Sequence, residues 1–388
     1  MVLAIGRLPG FRIDRMGAAI IGASLMVAFN VLTFEEAYQA VNYDTLVLLF
    51  GMMIVVANLR LSGFFSWVSE AVVEHAHRPL TLLTAIVFVS GVFSAFFVND
   101  TMCLVLTPLV LEITASLRRN PVPYLLAVAM ASNIGSVATI TGNPQNMMIG
   151  SFSGIHYRAF AAALSPVAVF GLAATVAVIA IMYRKEFRPT ERVALAHRAV
   201  RVNRVLMWKA LAASAAMIVL FFAGWPVPKV ALLAGAMLLI TRRVKPEKVY
   251  REIDWSLLVL FVGLFVLVDG MEKTLVEANV QPAIERLHLE KTAVLSAVSA
   301  LLSNVVSNVP AVLVFKPIIG HMADPTKAWL VLAMSSTLAG NLTILGSVAN
   351  LIVIQRARRE AEISFWTYFK TGAPLTILTL AFGAWYLG

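Results

Sequence analysis

Cysteine is almost absent. Cys103 is the single one in 388 residues, which excludes an internal disulfide and any metal site built on cysteine pairs. Charge is scarce too: 13% of the residues are Asp, Glu, Lys or Arg, against about 25% in an average soluble domain. No Gly-x-Ser-x-Gly and no His-Glu-x-x-His occurs, and none of the six histidines lies inside an apolar span. The hydrolytic arrangements those motifs mark therefore have no candidate residues, and no enzyme is expected. His75 and His77 are two apart in a loop, a poor ligand pair. No small-residue cleavage site is evident after the first apolar run, so Arg7, Arg12 and Arg15 are not read as part of a cleaved leader.

What fills the chain is apolar. Hydrophobic residues make up 60% and mean hydropathy is +0.83, in runs that reach the roughly 20 residues a bilayer crossing takes. An all-α polytopic membrane protein follows. Full spans are expected near 17–33, 43–59, 123–151, 159–183, 208–224, 228–241, 255–270, 327–355 and 364–386. Segments 80–117 and 292–320 each hold two apolar arms around a polar tip and are read as re-entrant helical hairpins. Segments 60–79 and 272–291 mix charge with apolar residues, as interfacial helices do. The net charge of +10 is read as loop bias, not as nucleic-acid binding. Loops 1–16, 60–79, 118–122, 184–209, 242–251 and 356–370 hold 24 of the 31 Lys and Arg residues. Cytoplasmic loops carry that excess, so the N-terminus is placed inside and the C-terminus outside. The expected division is an N-terminal repeat at 1–183, a basic cytoplasmic linker at 184–207 that can touch anionic lipid, and a C-terminal inverted repeat at 208–388.

The most informative feature is a doubling. Ser94-Ala95-Phe96-Phe97-Val98-Asn99-Asp100-Thr101, followed by Pro108, is echoed by Ser303-Asn304-Val305-Val306-Ser307-Asn308-Val309-Pro310, followed by Pro317. Thr139-Ile140-Thr141-Gly142-Asn143-Pro144-Gln145-Asn146 is echoed by Thr343-Ile344-Leu345-Gly346-Ser347-Val348-Ala349-Asn350. Paired interruptions in corresponding halves of a membrane chain point to a transporter's central binding site. Non-helical backbone survives at membrane depth only against protein or water. Asn, Ser and Thr side chains satisfy loose backbone groups there, and the same oxygens can hold a small cation such as sodium. Candidate substrate- and ion-binding residues are therefore Ser94, Asn99, Asp100, Thr101, Thr139, Gly142, Asn143, Asn146, Ser303, Ser307, Asn308, Thr343, Gly346, Ser347 and Asn350. Asp100 is the candidate for the coupling ion, because an ionisable residue at membrane depth is a functional residue by default. Lys316 is left with three roles: pairing with an acid, attracting an anion, or snorkelling.

These residues resemble the ion transporter superfamily, which includes sodium–dicarboxylate symporters, citrate permeases, arsenite permeases and related sodium/proton antiporters. The resemblance spans about residues 40–386. It rests on Ser-x4-Asn at each hairpin tip, on Asn133-Ile134-Gly135-Ser136 leading to Gly142-Asn143-Pro144-x-Asn146, and on Gly346-x-x-x-Asn350 in the second half. It implies two inverted-topology repeats, each with a re-entrant helical hairpin and a broken transmembrane helix, and an elevator-like movement. Members of the superfamily are often homodimers. Asp100 and Val309 stand where the dicarboxylate symporters carry threonine, so the resemblance favours the arsenite-permease and antiporter branch.

The expected function is secondary active transport of a small anion, an oxyanion or a neutral metalloid hydroxide across the cytoplasmic (inner) membrane, coupled to protons or sodium and with no other cofactor. A sodium/proton antiporter is the alternative. A channel of the two-half-helix kind is a further one, weakened because Val348 stands in the second break where Pro144 stands in the first.

Overall fold

The computed structural model describes residues 13–75, 78–187, 202–276, 284 and 286–388, and every regular element among them is helical. Arg7, Arg12, His77, most of the basic linker and much of the 272–291 segment lie outside the described residues. The first half contributes α1 (Arg15–Ala28), α2 (Phe34–Ala40), α3 (Tyr43–Ser62), α4 (Phe64–His75), α5 (Pro79–Phe96), α6 (Asn99–Ser116), α7 (Pro121–Ser136), α8 (Pro144–Ser153) and α9 (Tyr157–Met182). The second contributes α10 (Arg204–Phe222), α11 (Val227–Leu239), α12 (Pro246–Tyr250), α13 (Trp255–Met271), α14 (Thr292–Val306), α15 (Asn308–Gly320), α16 (Pro325–Ala339), α17 (Val348–Ala357) and α18 (Phe365–Leu387).

Polar caps start the apolar runs. Asn42, Asn203, Asp254, Asp324 and Ser364 each accept a backbone N–H of the first turn of α3, α10, α13, α16 and α18, which satisfies donors that a helix start leaves open. Five described helices are long and apolar enough to cross a membrane: Tyr43–Ser62, Pro79–Phe96, Tyr157–Met182, Arg204–Phe222 and Trp255–Thr274. The first span is shorter than the expected 17–33. It ends at Ala28 because Asn30 turns left-handed (φ 56), and Thr33 with Glu36 forms a capping box that starts α2 instead. Glu36 also meets Lys273 at 2.6 Å. The hydrogen bond from Lys273, followed by those from Thr33, lowers the Glu36 carboxyl to about 2. His75 closes helix α4 and is not a loop residue.

Two packing groups emerge. In the first, α3 lies against α10 and α11, and α1 against α13. In the second, α5 lies on α7, α14 on α16, α6 on α17, and α9 on both α7 and α18. The groups meet where α13 touches α15 and α3 touches α8. At the centre of the second group, α7 is buried from Pro123 to Ser136 and α16 from Val331 to Ala339. A helix covered all round shows no amphipathic stripe, and neither sequence does. Ion pairs mark the two ends of the bundle. Arg60 pairs with Glu252 at one end. At the other, Lys316 Nζ lies 3.3 Å from Glu272 Oε2 and 5.5 Å from the centre of the Phe152 ring. Of the three roles open to Lys316, pairing with an acid is the one the structure displays.

Both buried helices are interrupted in the same way. After α7 comes a 3-10 turn, Ile140–Gly142, and then α8; after α16 comes Ile344–Gly346, and then α17. Asn146 Nδ2 donates to the carbonyls of Ser136 and Thr139, both at 3.0 Å. Asn350 Nδ2 donates to Gly340 O at 2.7 Å and Thr343 O at 3.0 Å. A Cβ at Gly142 would collide with the Ser136 backbone, and one at Gly346 would stand 2.9 Å from Gly340 O. Pro144 follows the first break and does not end α7. It occupies the first position of α8, where its missing N–H costs nothing, and Val348 holds the matching place in α17.

Each of these asparagines donates to two carbonyls at its break, where the other donors are longer: Gly142 N to Thr139 O at 3.4 Å, Asn143 Nδ2 to Ser136 O at 3.5 Å and Gly346 N to Thr343 O at 3.1 Å. Asn146→Ala and Asn350→Ala should each destabilise the protein by about 1–3 kcal/mol, read as a lowered midpoint of thermal unfolding in detergent. Asn350→Asp should fall as far, because a carboxylate has no N–H to donate. A midpoint unchanged in all three would contradict the assignment.

Candidate functional site

The chain reverses at two tight places. Helices α5 and α6 are joined by Phe97 and Val98, and α14 and α15 by Ser307 alone. Ser307 has φ 81 and ψ 159, a conformation that costs a residue with a Cβ about 1–3 kcal/mol. Backbone bonds brace it: Ser307 N donates to Ser303 O at 2.9 Å, and Ala311 N to Ser307 O at 3.2 Å.

Both reversals and both helix breaks open onto one cavity of about 80 Å³, located between the two packing groups. The second group supplies Asn99, Asp100, Pro144, Gln145, Ser307, Asn308, Val309, Pro310, Ser347 and Val348. The first supplies Arg15 and an apolar wall of Leu257, Leu260, Phe261 and Leu264. Half-buried Asp100 reaches the Ala349 amide at the start of α17, with Asp254 within electrostatic range. The first turns of α15 and α17 border the cavity, and helix starts favour negative charge.

A chain of amides holds the wall together, with Asn133 of α7 at its centre. Asn133 Oδ1 accepts from Asn99 Nδ2 and from Ser347 Oγ, both at 3.0 Å. Its Nδ2 donates to Asn341 Oδ1 at 2.9 Å and Asn350 Oδ1 at 3.0 Å. Both donors and both lone pairs are thereby used. Asn341 passes the chain on to Met130 O at 3.1 Å. On the other side, the amide of Asn308 is oriented by its neighbours. Its Nδ2 reaches Ser303 Oγ at 2.6 Å and Gly346 O at 3.1 Å, and its Oδ1 accepts from Gln145 Nε2 at 3.1 Å.

Of the residues expected from sequence, Asn99, Asp100, Ser307, Asn308 and Ser347 line the cavity. The others stand behind it and shape it. Asn143 caps α8 through Asn146 N at 2.8 Å and bonds Ser136 Oγ at 2.8 Å. Thr139 Oγ1 donates to Ala95 O. Ser303 Oγ reaches Ser336 O at 3.0 Å, and Thr343 Oγ1 reaches Asn304 Oδ1 at 3.3 Å. Gly142, Gly346, Asn146 and Asn350 form the breaks. Ser94 is buried with its Oγ lacking a hydrogen-bond partner among the described residues, as are Asn99 Oδ1 and Asn146 Oδ1. Thr101 is half-buried one residue past Asp100 and is not on the cavity wall.

Sequence reasoning missed Arg15, Asn133 and Gln145 as site residues. Asn133 carried a legible signal, an amide in the last turn of α7 just before the first break. Gln145 stood inside the quoted motif, but Ala349 holds its place in the second half, so the doubling did not mark it. Arg15 was absorbed into the loop charge bias.

The amide chain predicts strong coupling. Asn133→Leu should lower the unfolding midpoint more than Asn99→Leu, since it strands four partners against one. A double-mutant cycle between the two should give an interaction of about 0.5–3 kcal/mol. Additive effects would contradict a direct bond.

Comparison with known proteins agrees with this architecture. A family model described as "Citrate transporter" matches residues 1–339. A silicon efflux transporter from Oryza sativa subsp. japonica is 30% identical, with 100% of this chain and 95% of that protein covered. An uncharacterized transporter of Mycobacterium tuberculosis (strain H37Rv) is also 30% identical, covering 97% and 94%. A Dictyostelium discoideum protein named for the transporter arsB is 25% identical, covering 96% and 86%. Among solved structures, the YdaH transporter of Alcanivorax borkumensis superposes with a TM-score of 0.62 over 97% of this chain and 88% of its own, at 16% identity. That likeness concerns the fold.

Proposed function

This chain belongs to the citrate transporter family, a family of membrane transporters, and from that membership we propose that it is a secondary active transporter. It carries a small anion, oxyanion or metalloid hydroxide across the cytoplasmic membrane, coupled to protons or sodium. The observation that carries the proposal is the single cavity onto which both chain reversals and both helix breaks open. In this reading residues 1–183 and 208–388 are two inverted-topology repeats joined by the linker 184–207. The α5–α6 and α14–α15 pairs are re-entrant hairpins, and α7–α8 and α16–α17 are broken transmembrane helices. The excess of basic residues places the N-terminus in the cytoplasm and the C-terminus outside.

The packing groups suggest the movement. The group with α5–α9 and α14–α18 carries nearly every polar side chain of the site. The group with α1, α3, α10, α11 and α13 presents mainly a smooth apolar wall. Sliding the first past the second would carry the site from one face to the other without dismantling the amide chain, an elevator-like form of alternating access.

Asp100 is the residue we assign to coupling. A proton on its carboxyl, or a sodium ion beside it, would remove the charge that otherwise opposes an incoming anion. The oxygens suit sodium: Ser94 Oγ and Asn99 Oδ1 are buried without hydrogen-bond partners among the described residues, and unwound backbone contributes carbonyls of the kind transporters use for that ion. The relatives' names span citrate, silicon and arsB, so the substrate class stays as wide as anion or neutral hydroxide. Sodium/proton exchange with no further substrate is the second reading, favoured by the placement of Asp100 on the cavity wall.

Purified protein in liposomes tests the proposal with citrate, sulfate, arsenite and silicic acid, each under an imposed proton or sodium gradient. Uptake of at least one should depend on a gradient, and Asp100→Asn should cut that uptake by tenfold or more. Flux that ignores both gradients and the substitution would refute coupling. Sodium/proton exchange that proceeds with none of the four solutes present would favour the second reading.

A further inference from the structure

One charge on the cavity wall belongs to neither hairpin nor break. Arg15 opens α1, which packs on α13, so it stands in the first packing group beside Leu257 and Phe261 and opposite Asp100, Asn308 and Ser347. Its neighbour Asp14 is committed elsewhere, accepting Gly17 N at 2.8 Å as the cap of α1. Arg15 itself makes no hydrogen bond or ion pair among the described residues. Asp100 shares the cavity, yet the two do not form an ion pair. A half-buried guanidinium against leucine and phenylalanine, without a partner, is an unusual use of charge. Buried cations are ordinarily paired, and arginine's fork fits carboxylates and oxyanions.

We propose that Arg15 is a substrate-binding residue, supplied by the group that does not carry the rest of the site, and that it grips the negative charge of an anionic substrate in only one of the two facing states. This rests on the transporter reading above and narrows it, because a neutral hydroxide would draw no charge–charge attraction from Arg15. The cavity's electrostatics agree. Arg15 and the starts of α15 and α17 present positive charge; Asp100 is the acidic group on the wall, with Asp254 in electrostatic range of it. Once Asp100 is neutralised by the coupling cation, the balance favours an anion. Size agrees as well: at about 10–15 Å³ for each water-sized centre, a cavity of about 80 Å³ takes roughly five to eight such groups. The one-sidedness follows from the packing. Asn99, Asn308 and Ser347 would travel with the substrate. Arg15 is tied to α13 and would stay behind, binding while the site is level with the start of α1 and releasing as it leaves.

The test compares wild type, Arg15→Gln and Arg15→Lys. Thermal stabilisation of the detergent-purified protein is titrated with sodium citrate, sulfate and phosphate, and with arsenous and silicic acids at neutral pH. At least one anion should stabilise wild type, with its half-saturating concentration raised tenfold or more by Arg15→Gln and largely restored by Arg15→Lys. Any stabilisation by the neutral acids should be the same in all three. In liposomes of defined orientation, Arg15→Gln should raise the KM for that anion about tenfold from the Arg15 side and leave it unchanged from the other. Anion binding unaffected by Arg15→Gln, stabilisation of wild type by the neutral acids alone or by nothing in the panel, or an equal KM change from both sides would overturn the proposal. Failure of the transporter reading looks different: wild type would bind as described but carry none of the solutes across.

Discussion

A helix that stops inside an apolar bundle leaves carbonyls without donors, and nothing else in this protein is as demanding. Four carbonyls, at Ser136, Thr139, Gly340 and Thr343, are closed by two side-chain amides, Asn146 and Asn350. The cost of leaving such groups open is several kcal/mol each where water cannot reach them. With the amides in place, the chain can unwind at two points and resume as α8 and α17. Everything that lines the cavity from those segments, Gln145 and Ser347 included, depends on that repair.

The second requirement is that the two breaks keep a constant position relative to each other. Asn133 supplies it. One side chain on a fully covered helix binds the tip asparagine of the first hairpin, the cap serine of α17 and the repair asparagine of the second break. Asn133 has every donor and acceptor used, and a fully satisfied group of this kind holds its partners rigidly. Rigidity here is compatible with movement, because the network lies almost wholly within one packing group. The surface facing the other group is leucine and phenylalanine, which sets no register. Among the described residues that boundary is crossed by the Lys316–Glu272 ion pair, by the Asn42–Ser151 hydrogen bond and by Tyr157 packed on Phe221 and Phe222, while Arg15 stands across the cavity.

Much of this was legible in the chain. The doubled Ser-x4-Asn and Thr-Ile-x-Gly-x-x-x-Asn segments announce the reversals and breaks, because polar and glycine residues have few other reasons to interrupt long apolar runs at matching places. What was not legible follows from the same physics. Asn133 lies just before the first break, in sequence terms one more small polar residue that ordinary helix packing accommodates, and only its partners show it to be the centre of the wall. Pro144 lies within the first break in the sequence, and only the structure shows that it starts α8. Arg15 reads as a loop charge, since a cation before an apolar run nearly always reports topology. The end of the first span was misjudged because Asn30 and Thr33, an unremarkable pair in a sequence, together form a stop and a start.

The central claim is that segments from the two halves of the chain meet at one cavity. The most direct measurement is mass spectrometry of cross-linked peptides from the Asp100→Cys/Val348→Cys double variant in a Cys103→Ser background, treated in membranes with a short bifunctional thiol reagent. The account predicts a peptide joining the α6 and α17 segments, as efficiently as one formed by a Glu272→Cys/Lys316→Cys control. Cross-linking of the control without any link between positions 100 and 348 would contradict it.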